Sequence, residues 1–168
     1  ACFDQDVLAL TTPGRYLETH PVQQLAVPAT STWGHGGTFE TWLNADNDWI
    51  YVQLLELAQR MRGLAQRFGE GELDAITARA LAQCAREVLL AQSSDWPFII
   101  TQGTSAEYAA RRVRDHVCRF HYLADAVERG AIDQEVLRSL EHLDNIFPEV
   151  DYRLFAGQGA PSRGAGVP

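Results

Sequence analysis

Three tryptophans, Trp33, Trp42 and Trp49, fall within TSTWGHGGTFETWLNADNDW (residues 30–49), a glycine-rich stretch with no hydrophobic period to bury them. Glycines let the backbone around Trp33 and Gly34 pass close to a partner. An indole offers its flat apolar face to the C–H side of a sugar ring, while neighbouring carboxylates and amides take the hydroxyls on the ring's edge. Asp95 and Trp96, in SSDWPF, repeat the pairing of acid and aromatic at a helix end. From spacing alone, indoles that merely knit an irregular segment onto a helical core are an equal alternative.

Other chemistries find less support. The histidines at 20, 35, 116, 121 and 142 have no i,i+4 pair, and no cysteine or carboxylate completes a recognised ligand set, so no metal and no cofactor is expected. His116 reads as a hydrogen-bonded, half-buried side chain. Cys84 and Cys118 lie on or beside apolar stripes, where a thiol is inert. All 14 basic residues are arginine, which excludes a lysine nucleophile or Schiff base. The run Arg111, Arg112, Arg114, Asp115, Arg119 reads as a solvated, salt-bridged face. With 22 acidic residues against those 14, the formal charge of −8 argues against nucleic acid as a partner. Three widely spaced cysteines outside any CxxC suggest a reducing cytoplasm, and no apolar run is long enough to cross a membrane.

These residues need elements to position them. Residues 1–48 carry Pro13-Gly14, Pro21, Pro28 and the glycines at 34, 36 and 37, and read as an irregular segment that leans on something else. Ile50, Leu54, Leu57, Met61, Leu64 and Phe68 recur at steps of four and three and predict a first helix, capped by Asp46 or Asp48 and ended by Gly69. Leu73, Ile76, Ala80, Cys84, Val88 and Ala91 predict a second. Pro97 should turn the chain after Trp96. Thr104 and Glu107 form a capping box for a third helix, whose stripe is Ala109, Val113, Val117, Phe120, Ala124 and Val127, closed by Gly130. Asp133 caps a fourth, with Val136, Leu137, Leu140 and Leu143. The fold expected is an all-α bundle of about four helices spanning 49–155, with a disordered tail over 156–168.

Five blocks go further: TPGRYLETHP, STWGHGGTFETWLNADNDWIY, LAQSSDWPFI, EYAARRVRDHVCRF and DNIFPEVDY. Their order and spacing resemble the C-terminal part of glycoside hydrolase family 57 1,4-α-glucan branching enzymes, from about Thr11 to Tyr152. The resemblance implies a helical domain packed against a (β/α) barrel and closing one wall of its glucan cleft. It implies a retaining mechanism, with a glutamate nucleophile and an aspartate acid/base on the barrel, upstream of Ala1. Trp33 and Trp42 correspond to cleft tryptophans, with Gly34, Asp95 and Trp96 beside the sugar. Trp49 is assigned to packing. His35 stands where the family pattern carries an acid. The partners implied are an α-glucan and the barrel, and the setting is glycogen biosynthesis. An α-amylase or 4-α-glucanotransferase of the same family would share this wall. A non-catalytic carbohydrate-binding module, or a structural helical adaptor, are the other classes to separate.

Overall fold

The computed structural model describes residues 7–157, which leaves Cys2 and the expected tail from 158 onward outside the described residues. Two compact units divide at Ser31 and Thr32. In the first, α1 (Pro13–Thr19) begins with proline in its first turn, and the Thr12 side chain accepts from the Arg15 N–H. Proline is tolerated there because the first N–H groups of a helix have no partner inside it. The segment read as irregular therefore contains a short helix.

In the second unit α2 (Asp48–Phe68), α3 (Ala75–Ala91), α4 (Asp95–Gln102), α5 (Ala106–Arg129) and α6 (Gln134–Leu143) form an all-α body, with no strand among the described residues. The α5 helix packs chiefly on α3 and also on α4 and α2; the 3-10 turn Tyr152–Ala156 closes over α2. The stripes expected for the first three long helices are the core. Ile50, Leu57, Met61, Leu64, Ala80, Cys84, Val88, Val113, Phe120, Ala124 and Val127 are buried, and Leu54, Phe68, Leu73 and Ile76 pack against them. Truncating a side chain such as the fully buried Phe120 would cost about 3–5 kcal/mol.

Several local expectations fail for identifiable reasons. Residues 95–102 are helical, because Pro97 sits in the first turn of α4, where its missing N–H removes no helical bond. Asn47, rather than Asp46 or Asp48, occupies the N-cap of α2, and its side chain caps nothing in the helix. The Thr104–Glu107 box does not form: Ser105 is the N-cap of α5 and donates from its hydroxyl to the Thr104 carbonyl. Leu143 is exposed on α6, whereas Asp133 caps that helix as expected. Cys84 is buried on its stripe, whereas Cys118, expected to be as inert, is exposed.

Residues 32–48 belong with the helical body instead of with 1–31. Buried amides explain that attachment, and they lead to the tryptophans.

Candidate functional site

Trp33 and Trp42 meet edge to face, with ring centroids 4.9 Å apart, and Phe98 of α4 lies 5.8 Å from Trp33. Trp33 is 79% exposed and Trp42 half-buried, so the pair presents aromatic surface outward on a loop. The backbone between them needs its glycines. Gly36 and Gly37 have φ of 62° and 72°, the left-handed region that side chains disfavour. Gly34 serves by close approach: a Cβ there would stand 2.7 Å from Trp42 Cζ3 and 2.9 Å from Thr41 Oγ1.

The loop is clamped by hydrogen bonds. Thr32 donates from its hydroxyl to the Thr38 carbonyl and accepts from the Gly34 N–H at 3.0 Å. Asn47, fully buried, accepts from the Asn44 N–H at 2.9 Å and donates to Thr101 Oγ1 at 3.0 Å. The Thr101 hydroxyl in turn donates to the Thr41 carbonyl at 2.7 Å. This ties the tryptophan loop to α4 across more than fifty residues of sequence. Tyr51 on α2 completes the clamp by donating to the Trp42 carbonyl at 2.5 Å. Partial burial raises its phenol above the ordinary value and keeps it a donor.

Beside Trp42 a groove of about 220 Å³ is lined by Tyr51, Leu54, Ser93, Ser94 and Pro97. The two most specific sequence blocks thus converge on one surface. Asp95 is exposed and accepts from the hydroxyl of the groove-lining Ser93 at 3.0 Å. Trp96 turns the other way: its Nε1 donates to the Leu90 carbonyl at 2.7 Å, its ring meets Tyr108 edge to face, and it packs against the core. Of the five residues singled out from sequence, Trp33, Gly34 and Trp42 lie together, Asp95 is linked to the groove through Ser93, and Trp96 does not join them. Tyr51, Phe98 and Asn47 were not singled out. A phenol standing off the buried stripe of α2, and three Asx residues before its start, were the available signals.

A second polar cluster lies in the interior. Glu87, His116 and Asp144 are buried with ligand-type atoms within 4.8 Å of one another. His116 Nδ1 donates to Glu87 at 2.7 Å, while Arg112 donates to His116 Nε2 at 3.1 Å. Because a guanidinium only donates, Nε2 holds the lone pair and Nδ1 the proton. Burial pushes the Glu87 carboxyl up, against hydrogen bonds from His116 and Gln83. Asp144 accepts from Arg119 at 2.8 Å. Asp144 is therefore met by two guanidinium groups and Glu87 by the His116 ring and the Gln83 amide, which makes the arrangement a hydrogen-bonded network within the core. His116 is fully buried rather than half-buried, and Arg112 and Arg119 leave the expected solvated face to point inward. Arg86 extends the network by donating to the Ile146 and Pro148 carbonyls at 2.9 and 2.8 Å, which fixes the DNIFP turn.

Comparison with known proteins fits this architecture. The chain is 35% identical over 157 residues to the 1,4-alpha-glucan branching enzyme of Thermococcus kodakarensis, covering 89% of this chain and 23% of that protein. It is 26% identical over 133 residues to a probable 1,4-alpha-glucan branching enzyme of Mycobacterium tuberculosis, covering 73% of this chain and 24% of that one. The chain thus spans about a quarter of the length of the relatives it matches. Among solved structures, the GH57-type branching enzyme of Pyrococcus horikoshii superposes with a TM-score of 0.77 at 34% identity, over 94% of this chain and 30% of that one. The alpha-amylase AmyC of Thermotoga maritima superposes at 0.72 with 38% identity, over 95% and 29%. No helix among the described residues is long and apolar enough to cross a membrane. The family described as "1,4-alpha-glucan branching enzyme, C-terminal" matches residues 53–155, and the chain belongs to it.

Proposed function

We propose that this chain is the helical part of an α-glucan branching enzyme and that Trp33 and Trp42 form the aromatic wall of its glucan cleft. The observation that carries this is the outward-facing, edge-to-face indole pair on a clamped, non-helical loop, of which Trp42 lines the Ser93–Ser94 groove. At about 220 Å³ the groove is smaller than the roughly 300–1,000 Å³ of a complete ligand site, which suits one wall of a shared cleft. Asp95, bonded to Ser93, takes sugar hydroxyls, and Gly34 keeps room for the Trp42 ring.

In this reading the enzyme breaks an α-1,4 bond, holds the released segment as a glycosyl-enzyme intermediate, and passes it to the 6-hydroxyl of another glucan with retention. The acid and the nucleophile belong to a barrel outside this chain; the buried carboxylates Glu87 and Asp144 are held by core side chains, out of a sugar's reach. The wall's part is to stack the acceptor and keep water from the intermediate, which favours transfer over hydrolysis. The setting is cytoplasmic glycogen synthesis. The likeness to an alpha-amylase supports a second reading, in which the same wall serves hydrolysis. Product linkage separates the two.

The test is Trp33→Ala and Trp42→Ala in the complete enzyme, scoring branch points against reducing ends released from amylose. A lost aromatic contact of about 1–1.5 kcal/mol corresponds to roughly a tenfold drop in transfer. The branch-to-hydrolysis ratio should fall with the melting temperature nearly unchanged. Equal loss of both activities with a sharply lowered melting temperature would make these indoles part of a domain seam.

A further inference from the structure

An open groove of about 600 Å³, which shares no lining residue with the one beside Trp42, runs between the start of α2 and the exposed side of α5. Its lining includes Asp46, Trp49, Ile100, Glu107, Arg111 and Arg114. Trp49 is half-buried, its Nε1 donating to the Asp46 carbonyl at 3.2 Å, and the Arg114 guanidinium lies 5.1 Å from its ring centroid. None of the four charged side chains forms an ion pair with another described residue, although Glu107 and Arg111 stand at the i,i+4 spacing that favours one. Two carboxylates and two guanidiniums therefore converge unspent on one furrow. Beyond Arg114 it continues into a second hollow of about 240 Å³ lined by Trp49, Gln53, Arg114 and Val117.

This composition selects a ligand class. An anion would meet Asp46 and Glu107, and a cation would meet Arg111 and Arg114, so the balanced set disfavours any charged occupant. A neutral, hydroxyl-rich molecule uses both kinds: carboxylates accept from hydroxyls, guanidiniums donate to hydroxyl oxygens, and the Trp49 edge and Ile100 cover C–H surface. The volume lies within the range of small-molecule sites, and the continuation along α5 suits an extended oligomer. We propose that this furrow is a second, non-catalytic binding site for a linear α-1,4-glucan, separate from the Trp33–Trp42 wall. The choice of an α-glucan rests on the function proposed above; the geometry itself calls for a neutral polyol.

The experiment titrates the ¹⁵N-labelled 168-residue chain with maltoheptaose and follows the four tryptophan indole N–H signals, assigned by single Trp→Phe replacements. The Trp49 signal should shift and saturate. Glu107→Gln combined with Arg111→Ala, both at exposed positions, should weaken that response by about tenfold while the Trp33 and Trp42 signals respond as before. A Trp49 signal that stays still while Trp33 and Trp42 move would overturn the second site and leave the cleft wall standing. Movement of Trp49 alone would support the second site, the wall being tested separately in the complete enzyme. A Trp49 response indifferent to the double substitution would also overturn the furrow, as would a titration in which no indole moves.

Discussion

Gly34→Ala tests the wall with a single methyl group. Gly34 has φ −66° and ψ 175°, an extended conformation that alanine adopts freely, so the substitution adds crowding without backbone strain. Its Cβ would meet Trp42 Cζ3 at 2.7 Å, Thr41 Oγ1 at 2.9 Å and Thr32 Oγ1 at 3.1 Å, whereas ordinary contact begins near 3.4 Å. The indole edge must therefore retreat by about 0.7 Å, the shortfall from that contact. Asn47 holds the carbonyl of buried Thr41, so the larger movement falls to the half-buried Trp42 ring, with a smaller shift of the Thr41 hydroxyl. A tilted Trp42 loses much of a stacking contact of about 1–1.5 kcal/mol, roughly five- to tenfold in affinity. If the ring instead held its place, overpacking would cost about 1–3 kcal/mol and lower the melting temperature by about 2–4 °C per kcal/mol. The assay is maltoheptaose titration of the chain, read at the Trp42 indole signal, beside a thermal melt. The expected result is weaker binding with a melt within a few degrees of the unsubstituted chain. Unchanged affinity together with an unmoved Trp42 signal would refute the argument that Gly34 seats the wall.

Asn47→Ala should cost about 1–3 kcal/mol, because it strands the Asn44 N–H and removes the amide link to Thr101 and the Pro97 carbonyl, and a chemical denaturation curve measures it. Asp144→Asn removes the charge that Arg119 and Arg112 share with it, and breaking a buried pair typically costs about 3–5 kcal/mol; the expected outcome is a large loss of stability in the same assay. Burial pushes the Cys84 thiol far above its ordinary range, so iodoacetamide followed by peptide mass mapping should label exposed Cys118 in the folded chain and reach Cys84 only on unfolding.

How much of this the sequence showed depends on the range of the interaction. Stripes at 3.6-residue period found α2, α3 and α5, and Gly130 and Asp133 marked ends, because these signals act within one or two turns. α4 was hidden by Pro97, whose meaning depends on whether it sits in the first turn or the interior of a helix. The arginine run misled for a different reason. Arg112 and Arg119 face Asp144, which is 25 or more residues further on, and no local pattern distinguishes an arginine that finds such a partner from a solvated one. The tryptophan loop was legible as an anomaly, aromatics without a period, but its clamp was not, since Asn47 and Thr101 meet across 54 residues.

That clamp shows how a loop can carry a rigid aromatic surface. Loops supply variable geometry, yet a wall that must keep water from an intermediate cannot fluctuate freely. Here rigidity comes from α4, whose two sides do different work. Thr101 and the Pro97 carbonyl receive the Asn47 amide and fix the tryptophan loop. Trp96, turned inward, lies 6.0 Å beneath the Arg112 guanidinium, which reaches on to His116 and Asp144. The SSDWPF block therefore joins the wall to the buried network through one short helix, which accounts for Asp95 and Trp96 being adjacent in sequence and opposite in role. It also separates two kinds of damage. Asn47→Ala cuts the loop from α4 and should let Trp33 and Trp42 sharpen into motionally averaged indole signals while the helical body keeps its amide protection. Asp144→Asn acts beneath α4 and should lower amide protection in α3 and α5 as well. Equal loss of protection throughout the body in the Asn47 variant would show that loop and bundle fold as one unit, and that α4 is no boundary between them.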